Sequence, residues 1–157
     1  MDATVRRLQN NLITLGTGVI AFGVWTVIKF ILYCVVNSDD LQATVAQDDI
    51  DFFFSIPLIG FALINLGICC TIGFSARAEG HGKHTGPAYV VVASINVFFY
   101  VAIIALDVAL LFFDTDSLFT VIINFIIDTT SMMIMIEMIV SSIKLRNLRK
   151  QQGVCHE

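Results

Sequence analysis

The sequence predicts an all-α integral membrane protein, an antiparallel bundle of four transmembrane helices that forms a single membrane domain over residues 1–157. Three observations predict it. Apolar residues make up 57% of the chain, charged residues only 14%, and the mean hydropathy is +0.84. The apolar residues form four runs of 23–26 residues, long enough to cross a hydrocarbon core. The basic residues outside these runs all lie in segments that the four spans would place on the same side of the membrane. Since a backbone in lipid must satisfy its own hydrogen bonds, each run is predicted to be a helix.

The four predicted spans cover residues 12–36, 52–74, 88–113 and 118–142. The first is longer than the apolar region of a signal peptide and lacks a nearby cleavage site, so we expect an uncleaved span. Pro57 lies in the first turns of the second span, where proline is tolerated. A loop is predicted from Ser75 to Pro87, and Thr85 and Pro87 are start signals for the third helix. The short turn at 114–117 makes the last two spans antiparallel neighbours.

The distribution of charge predicts the orientation. Of the nine Lys and Arg residues, all but Lys29 precede the first span, lie between the second and third, or follow the fourth. The charged residues on the opposite side are all acidic: Asp39, Asp40, Asp48, Asp49, Asp51, Asp114 and Asp116. The positive-inside rule therefore predicts a multi-pass protein of the cell membrane with both termini cytoplasmic.

Polar residues form one stripe on each predicted span when positions are plotted at about 100° per residue. This is the pattern expected if the stripes meet inside a bundle. The candidate buried polar and ionisable residues are Lys29 in the first span, Asn65 in the second, Asn96, Tyr100 and Asp107 in the third, and Asn124 and Asp128 in the fourth.

The ionisable members of this set allow several arrangements. Lys29 and Asp107 both lie about 10 Å deep from the same face, so they can form a buried ion pair. Alternatively, Lys29 extends to the headgroups, or Asp128 competes with Asp107 for it. Asp128 lies about 15 Å along the fourth span, near the middle of the hydrocarbon core, where a carboxyl group is costly and marks a functional-site candidate. It is either a proton carrier or a protonated group that hydrogen-bonds asparagines between helices.

Two further features concern helix contacts. Glu137 follows Asp128 by nine residues and therefore lies on the opposite side of the fourth helix. It is a candidate contact to a partner protein, or it reaches the inner interface beside the basic tail. Glycines recur after seven residues in the first two spans, at Gly16 and Gly23 and at Gly60 and Gly67. They either permit close helix approach or reflect the ordinary glycine content of membrane helices.

The chemistry-bearing motifs of common enzymes are missing from the sequence. It has no GxGxxG, P-loop or HExxH motif and no histidine in any span, so we expect no enzyme and no cofactor. His81, His84 and Glu79 fit no zinc pattern, so no metal site is expected. The basic tail favours lipid headgroups over nucleic acid.

The first functional hypothesis is a subunit, accessory or regulatory partner of a membrane complex. The alternative is a homo-oligomeric, proton-coupled transporter or channel for a small solute that uses Asp128. The expected partners are the bilayer and another membrane protein or a second copy.

Overall fold

Four helices make up the described structure. The computed structural model describes residues 3–36, 49–83, 85–113 and 118–154, with side chains at 3–29, 31–32, 60–83, 85–109 and 121–151. The helices are α1 (Ala3–Val36), α2 (Asp49–Gly80), α3 (Ala88–Phe113) and α4 (Leu118–Val154). Each is long and apolar enough to cross a membrane. The prediction of an all-α chain with four such helices is confirmed. The acidic loop at 37–48, the turn at 114–117 and His84 lie outside the described residues.

Three helices continue beyond the apolar runs, because polar residues outside a bilayer can still form helix. The prediction that a loop begins at Ser75 is wrong, because α2 continues to Gly80. The residues of this extension include Ala, Arg and Glu, which are strong helix formers. The helix then ends in a Schellman motif, with Lys83 N donating to Ala78 O (3.0 Å) and Gly82 N to Glu79 O (3.0 Å). Gly82 takes a positive φ of 86°, which glycine adopts without strain.

Neighbouring helices run antiparallel in the order up, down, up, down. The pairs that lie together are Gly16 with Gly73 and Gly23 with Cys69 between α1 and α2, Tyr89 with Ser142 and Asp107 with Asp128 between α3 and α4, and Gly18 with Ile134 between α1 and α4. We call the end with the 81–87 loop the loop end. We call the opposite end, where α1 and α3 finish, the turn end.

The described core lies mainly toward the loop end. Leu12 of α1, Ile72 of α2, Ala93 of α3 and Leu145 of α4 are each 0% exposed there. The outer surfaces are apolar instead, because large side chains such as Phe98 (77% exposed) point away from the bundle on its flanks. A helix that is apolar all round suits a membrane. Of the adjacent pairs, α2 and α3 pack most loosely.

Two of the four glycines singled out by spacing lie where α1 and α2 approach closely. A Cβ at Gly16 would lie 2.7 Å from Gly73 O, and a Cβ at Gly23 would lie 2.7 Å from Cys69 Cβ. In contrast, a Cβ at Gly60 or Gly67 would meet nothing within 4 Å among the described atoms. Close approach also involves Gly73 and Gly80 of α2, which were not among the four glycines singled out: a Cβ at Gly73 would lie 2.5 Å from Gly16 O, and a Cβ at Gly80 would lie 2.8 Å from Gln9 O.

We expect Gly16→Ala to destabilise the bundle by about 1–3 kcal/mol, since the added methyl group is forced against backbone. Gly67→Ala is the matched control and should stay within about 1 kcal/mol of the unchanged protein, because a helical alanine replaces an exposed glycine. The measurement is reversible unfolding in detergent for both variants. Equal losses at the two positions would show that the close contact between α1 and α2 does not hold the bundle.

Candidate functional site

A cavity with several polar lining residues, which we call the polar cavity after them, lies among all four helices on the turn-end side of the core. Its volume is about 330 Å³. Its polar lining residues are Thr26 and Lys29 of α1, Asn65 of α2, Asn96 and Tyr100 of α3, and Asp128 of α4. Its apolar lining residues are Phe61, Ile64 and Ile68 of α2, and Phe99 and Ile103 of α3. Since α2 and α3 supply most of the wall and pack loosely against each other, the cavity opens along that pair.

Three acidic or basic side chains lie at or beside the cavity, of which Lys29 and Asp128 line it and Asp107 does not. Asp107, which is 8% exposed, lies beside Asp128, and Lys29 is within electrostatic range of both carboxyl groups. Lys29 itself is exposed, and among the described residues it makes no ion pair with either aspartate at contact distance. The structure thus brings Lys29, Asp107 and Asp128 close together, but Lys29 forms no direct ion pair with either described carboxyl group.

Two buried polar atoms near the cavity are unsatisfied. Within the described residues, Asn96 Nδ2 and Asp107 Oδ2 have no hydrogen-bond partner. Asn96 is only 7% exposed and lines the cavity. Leaving a buried donor unpaired costs about 1–3 kcal/mol. Tyr100, which is 5% exposed, lies against Asn65 and Ser131, so the neighbouring polar groups are better matched. The amide of Asn96 therefore lacks a hydrogen-bond partner beside the cavity.

Three of the candidate residues do not line the cavity, namely Asp107, which lies beside Asp128, and Asn124 and Glu137. Asn124 is half-buried on α4 and is not among the lining residues. Glu137 is exposed on α4, and its neighbours on that surface are apolar: Met133, Ile136 and Val140. The structure therefore places Glu137 on the outside of the bundle, away from Asp128.

A second polar site, at the loop end, was not identified from the sequence. We call it the Glu79 cluster, and it comprises Glu79, Thr85, Tyr89, Ser142 and Arg146. Glu79 is 1% exposed and accepts two hydrogen bonds from Arg146, Nε to Oε1 at 2.8 Å and Nη2 to Oε2 at 3.0 Å. Ser142 (3.1 Å), Thr85 (3.2 Å) and the Tyr89 hydroxyl also donate to Oε2. The cluster joins α2, α3 and α4.

Backbone contacts and charge extend this cluster. Arg149 donates to the Glu79 carbonyl (3.1 Å), and Arg146 also donates to the Gly86 carbonyl (3.1 Å) and lies 5.5 Å from the centre of the Tyr89 ring. Glu79 lies five residues past Phe74, outside the apolar run. Burial disfavours its charged form, but hydrogen bonds from Arg146, Tyr89 and Ser142 outweigh burial and lower the pKa of Glu79. The carboxylate is therefore held ionised.

One sequence signal could have indicated the Glu79 cluster. Ser142 and Arg146 are four residues apart, so they lie on one face of the extended α4 helix. That face was assigned to the polar tail because the helix was predicted to end with the apolar run. His81, the histidine of the loop that the structure describes, is exposed. Within the described ranges, no three His, Cys, Asp or Glu side chains lie close enough to hold a metal ion.

Comparison with known proteins adds no information about function. The chain matches no family model, no curated protein and no solved structure. Arguments about function therefore depend on the chemistry of the cavity and of the exposed surface.

We expect Glu79→Gln to destabilise the protein by about 3 kcal/mol, the lower end of the cost of breaking a buried ion pair, because Arg146 stays partly hydrated. Glu137→Gln is the control and should change stability by less than about 0.5 kcal/mol, since that side chain is exposed. Unfolding in detergent measures both. Because the pKa of Glu79 is lowered on folding, the difference between wild type and Glu79→Gln should shrink as pH falls through the folded pKa. A difference that is constant with pH would contradict an ionised Glu79.

Proposed function

We propose that the chain is a non-enzymatic, multi-pass membrane protein that binds a small solute in the polar cavity and moves it in exchange for, or together with, protons. The observation that supports this proposal most directly is the cavity. Its volume is about 330 Å³, it lies in the apolar part of the bundle, and the carboxyl groups of Asp128 and Asp107 lie at or beside it. Ionisable groups at membrane depth mark proton and substrate pathways. Asp128 is the proposed proton carrier, since it lines the cavity directly.

The packing asymmetry supports an alternating mechanism. The loop end is closed by the Glu79 cluster and by buried side chains, while the cavity lies on the turn-end side. A carrier must open each end in turn, so the described arrangement corresponds to one of its two states. Four helices enclose little space of their own, and the proposal therefore includes a homo-oligomer.

The proposed location is the cell membrane, with both termini and the loop end cytoplasmic. Support comes from the side on which Lys and Arg collect. The turn end, and with it the cavity, would then lie toward the outer face. A reporter enzyme that is active only in the cytoplasm should therefore be active when it is fused to either terminus.

We expect Asp128→Asn to abolish solute-driven proton movement without unfolding the protein. The measurement uses proteoliposomes that contain a pH-sensitive dye and receive a panel of amines, amino acids, carboxylates and sugars. Asp128→Glu should retain proton movement because it keeps a titratable acid, and Asn124→Ala should retain it because Asn124 lies outside the cavity. Undiminished proton movement in Asp128→Asn would reject Asp128 as the carrier.

A second function is favoured by Glu137. An exposed carboxylate surrounded by exposed apolar side chains is costly where it faces lipid. Contact with another membrane protein would remove that cost. This supports an accessory or regulatory subunit of a membrane complex, and the same surface would serve a homo-oligomer.

We expect Glu137→Gln to weaken association about tenfold or more, because a charge-assisted hydrogen bond contributes about 1.5–3 kcal/mol. Mass determination of the complex in mild detergent measures the associated fraction and identifies the partner. Thr130→Ala, a neutral change on the same exposed side of α4, is the control. An unchanged complex in Glu137→Gln would exclude this residue as the contact. A foreign partner would support the accessory function, and a second copy would support the transporter.

A further inference from the structure

The cavity wall offers recognition groups of both signs and one unused donor. Lys29 supplies a cation, Asp128 an acid, and the buried Nδ2 of Asn96 lacks a hydrogen-bond partner within the described residues. Apolar surface is placed beside these groups, on Phe61, Ile64 and Phe99, which are 59%, 63% and 59% exposed. The cavity thus combines a few polar groups with a mostly apolar lining.

We infer that the cavity binds a small zwitterion that carries a primary ammonium, an acidic oxyanion and an apolar substituent, as a free amino acid does. Asp128 receives the ammonium group. Lys29 and Asn96 Nδ2 donate to the oxyanion. The apolar substituent lies against Phe61 and Phe99 at the opening. The inference rests on the proposed function, in that it names the solute class for the same cavity.

Charge complementarity favours a zwitterion over a simple ion. A cation alone would meet the Lys29 ammonium, and an anion alone would meet the carboxyl groups of Asp107 and Asp128. A zwitterion places each charge on its opposite and adds no net charge to a site inside the bundle, where an unbalanced charge is costly. It also supplies an acceptor for the amide of Asn96, which removes the cost of an unpaired buried donor.

The size of the cavity favours a small molecule. Its volume of about 330 Å³ is near the lower end of the roughly 300–1,000 Å³ typical of ligand pockets. The opening between α2 and α3 faces hydrocarbon in a bilayer, so two sources can present this chemistry. One is a free amino acid, and the other is a phospholipid whose headgroup carries a primary ammonium beside its phosphate.

The test is calorimetric binding of leucine to the full-length protein in mild detergent. We expect saturable binding that Lys29→Ala and Asn96→Ala each weaken about tenfold or more, the effect of losing one hydrogen bond to a charged group. Asn124→Ala, an asparagine outside the cavity, should bind as the unchanged protein does. Isoamylamine lacks the carboxylate of leucine and 4-methylpentanoate lacks its ammonium, so both should bind more weakly than leucine.

A blocking variant avoids dependence on buried positions. Ile64 lines the opening and is 63% exposed, so Ile64→Trp should fold and obstruct the cavity. Leu63 is 56% exposed but does not line the cavity, so Leu63→Trp is the matched control. Leucine binding should be lost in the first variant and kept in the second.

Short-chain phosphatidylethanolamine distinguishes the two sources. If it binds with the same variant pattern while leucine does not, the zwitterion is a lipid headgroup, and phosphatidylglycerol, which lacks the ammonium, should fail to bind. The inference is overturned if neither zwitterion binds, if both single-charge analogues bind as tightly as leucine, or if Asn96→Ala and Asn124→Ala behave alike. Binding needs no transport, so leucine binding without proton movement would reject the proposed function alone. Proton-coupled movement of a different solute would reject only this inference.

Discussion

A carboxylate that is removed from water requires a partner for each of its lone pairs, and Glu79 obtains them only where three helices meet. Its carboxylate oxygens accept hydrogen bonds from the guanidinium of Arg146 and from three hydroxyl groups. The side chain is only 1% exposed, so solvent has little access to it. Separating α2 from α4 would break the ion pair between Glu79 and Arg146 and leave a buried charge unpaired, which is among the most costly changes a fold can suffer. The loop end is consequently held in one arrangement. The α1 glycines add the fourth helix to it, because α1 approaches α2 at backbone distance there.

This fixed end determines what the rest of the bundle can do. Beyond the glycine contacts, α2 and α3 pack loosely and supply most of the wall of the polar cavity. A cavity in a uniformly packed bundle would collapse or be filled by side chains, since protein interiors are dense. Here the helices are held together at one end, so the cavity can persist without contributing to stability. The difference between a closely packed loop end and the loosely packed pair of α2 and α3 is the physical basis of the proposed binding function.

Hydropathy and helical periodicity predict a large part of this architecture. The four apolar runs locate the helices because lipid-compatible segments must be long and continuous. The 3.6-residue period placed Asn65, Asn96 and Asp128 on inward stripes, and the structure brings these three to one cavity. Hydropathy does not predict the polar extensions of α2 and α4. It detects only the apolar segment inside the membrane, whereas helical hydrogen bonding continues into the polar residues beyond it. The Glu79–Arg146 contact joins positions 67 residues apart, and its formation depends on helix rotation, which a one-dimensional pattern does not contain.

The charges around the cavity would also connect the proposed solute to the proposed proton movement. Lys29, Asp107 and Asp128 carry one excess negative charge if all three are ionised, and two neighbouring carboxyl groups in an apolar site resist ionising together. One shared proton makes the group neutral. The proposed zwitterion is neutral overall, but its ammonium group would compete with the shared proton for Asp128. Binding at Asp128 would thus displace the proton, and release of the solute would restore it. Coupling between the two would follow from competition for a single carboxyl group, with no need for a separate proton pathway.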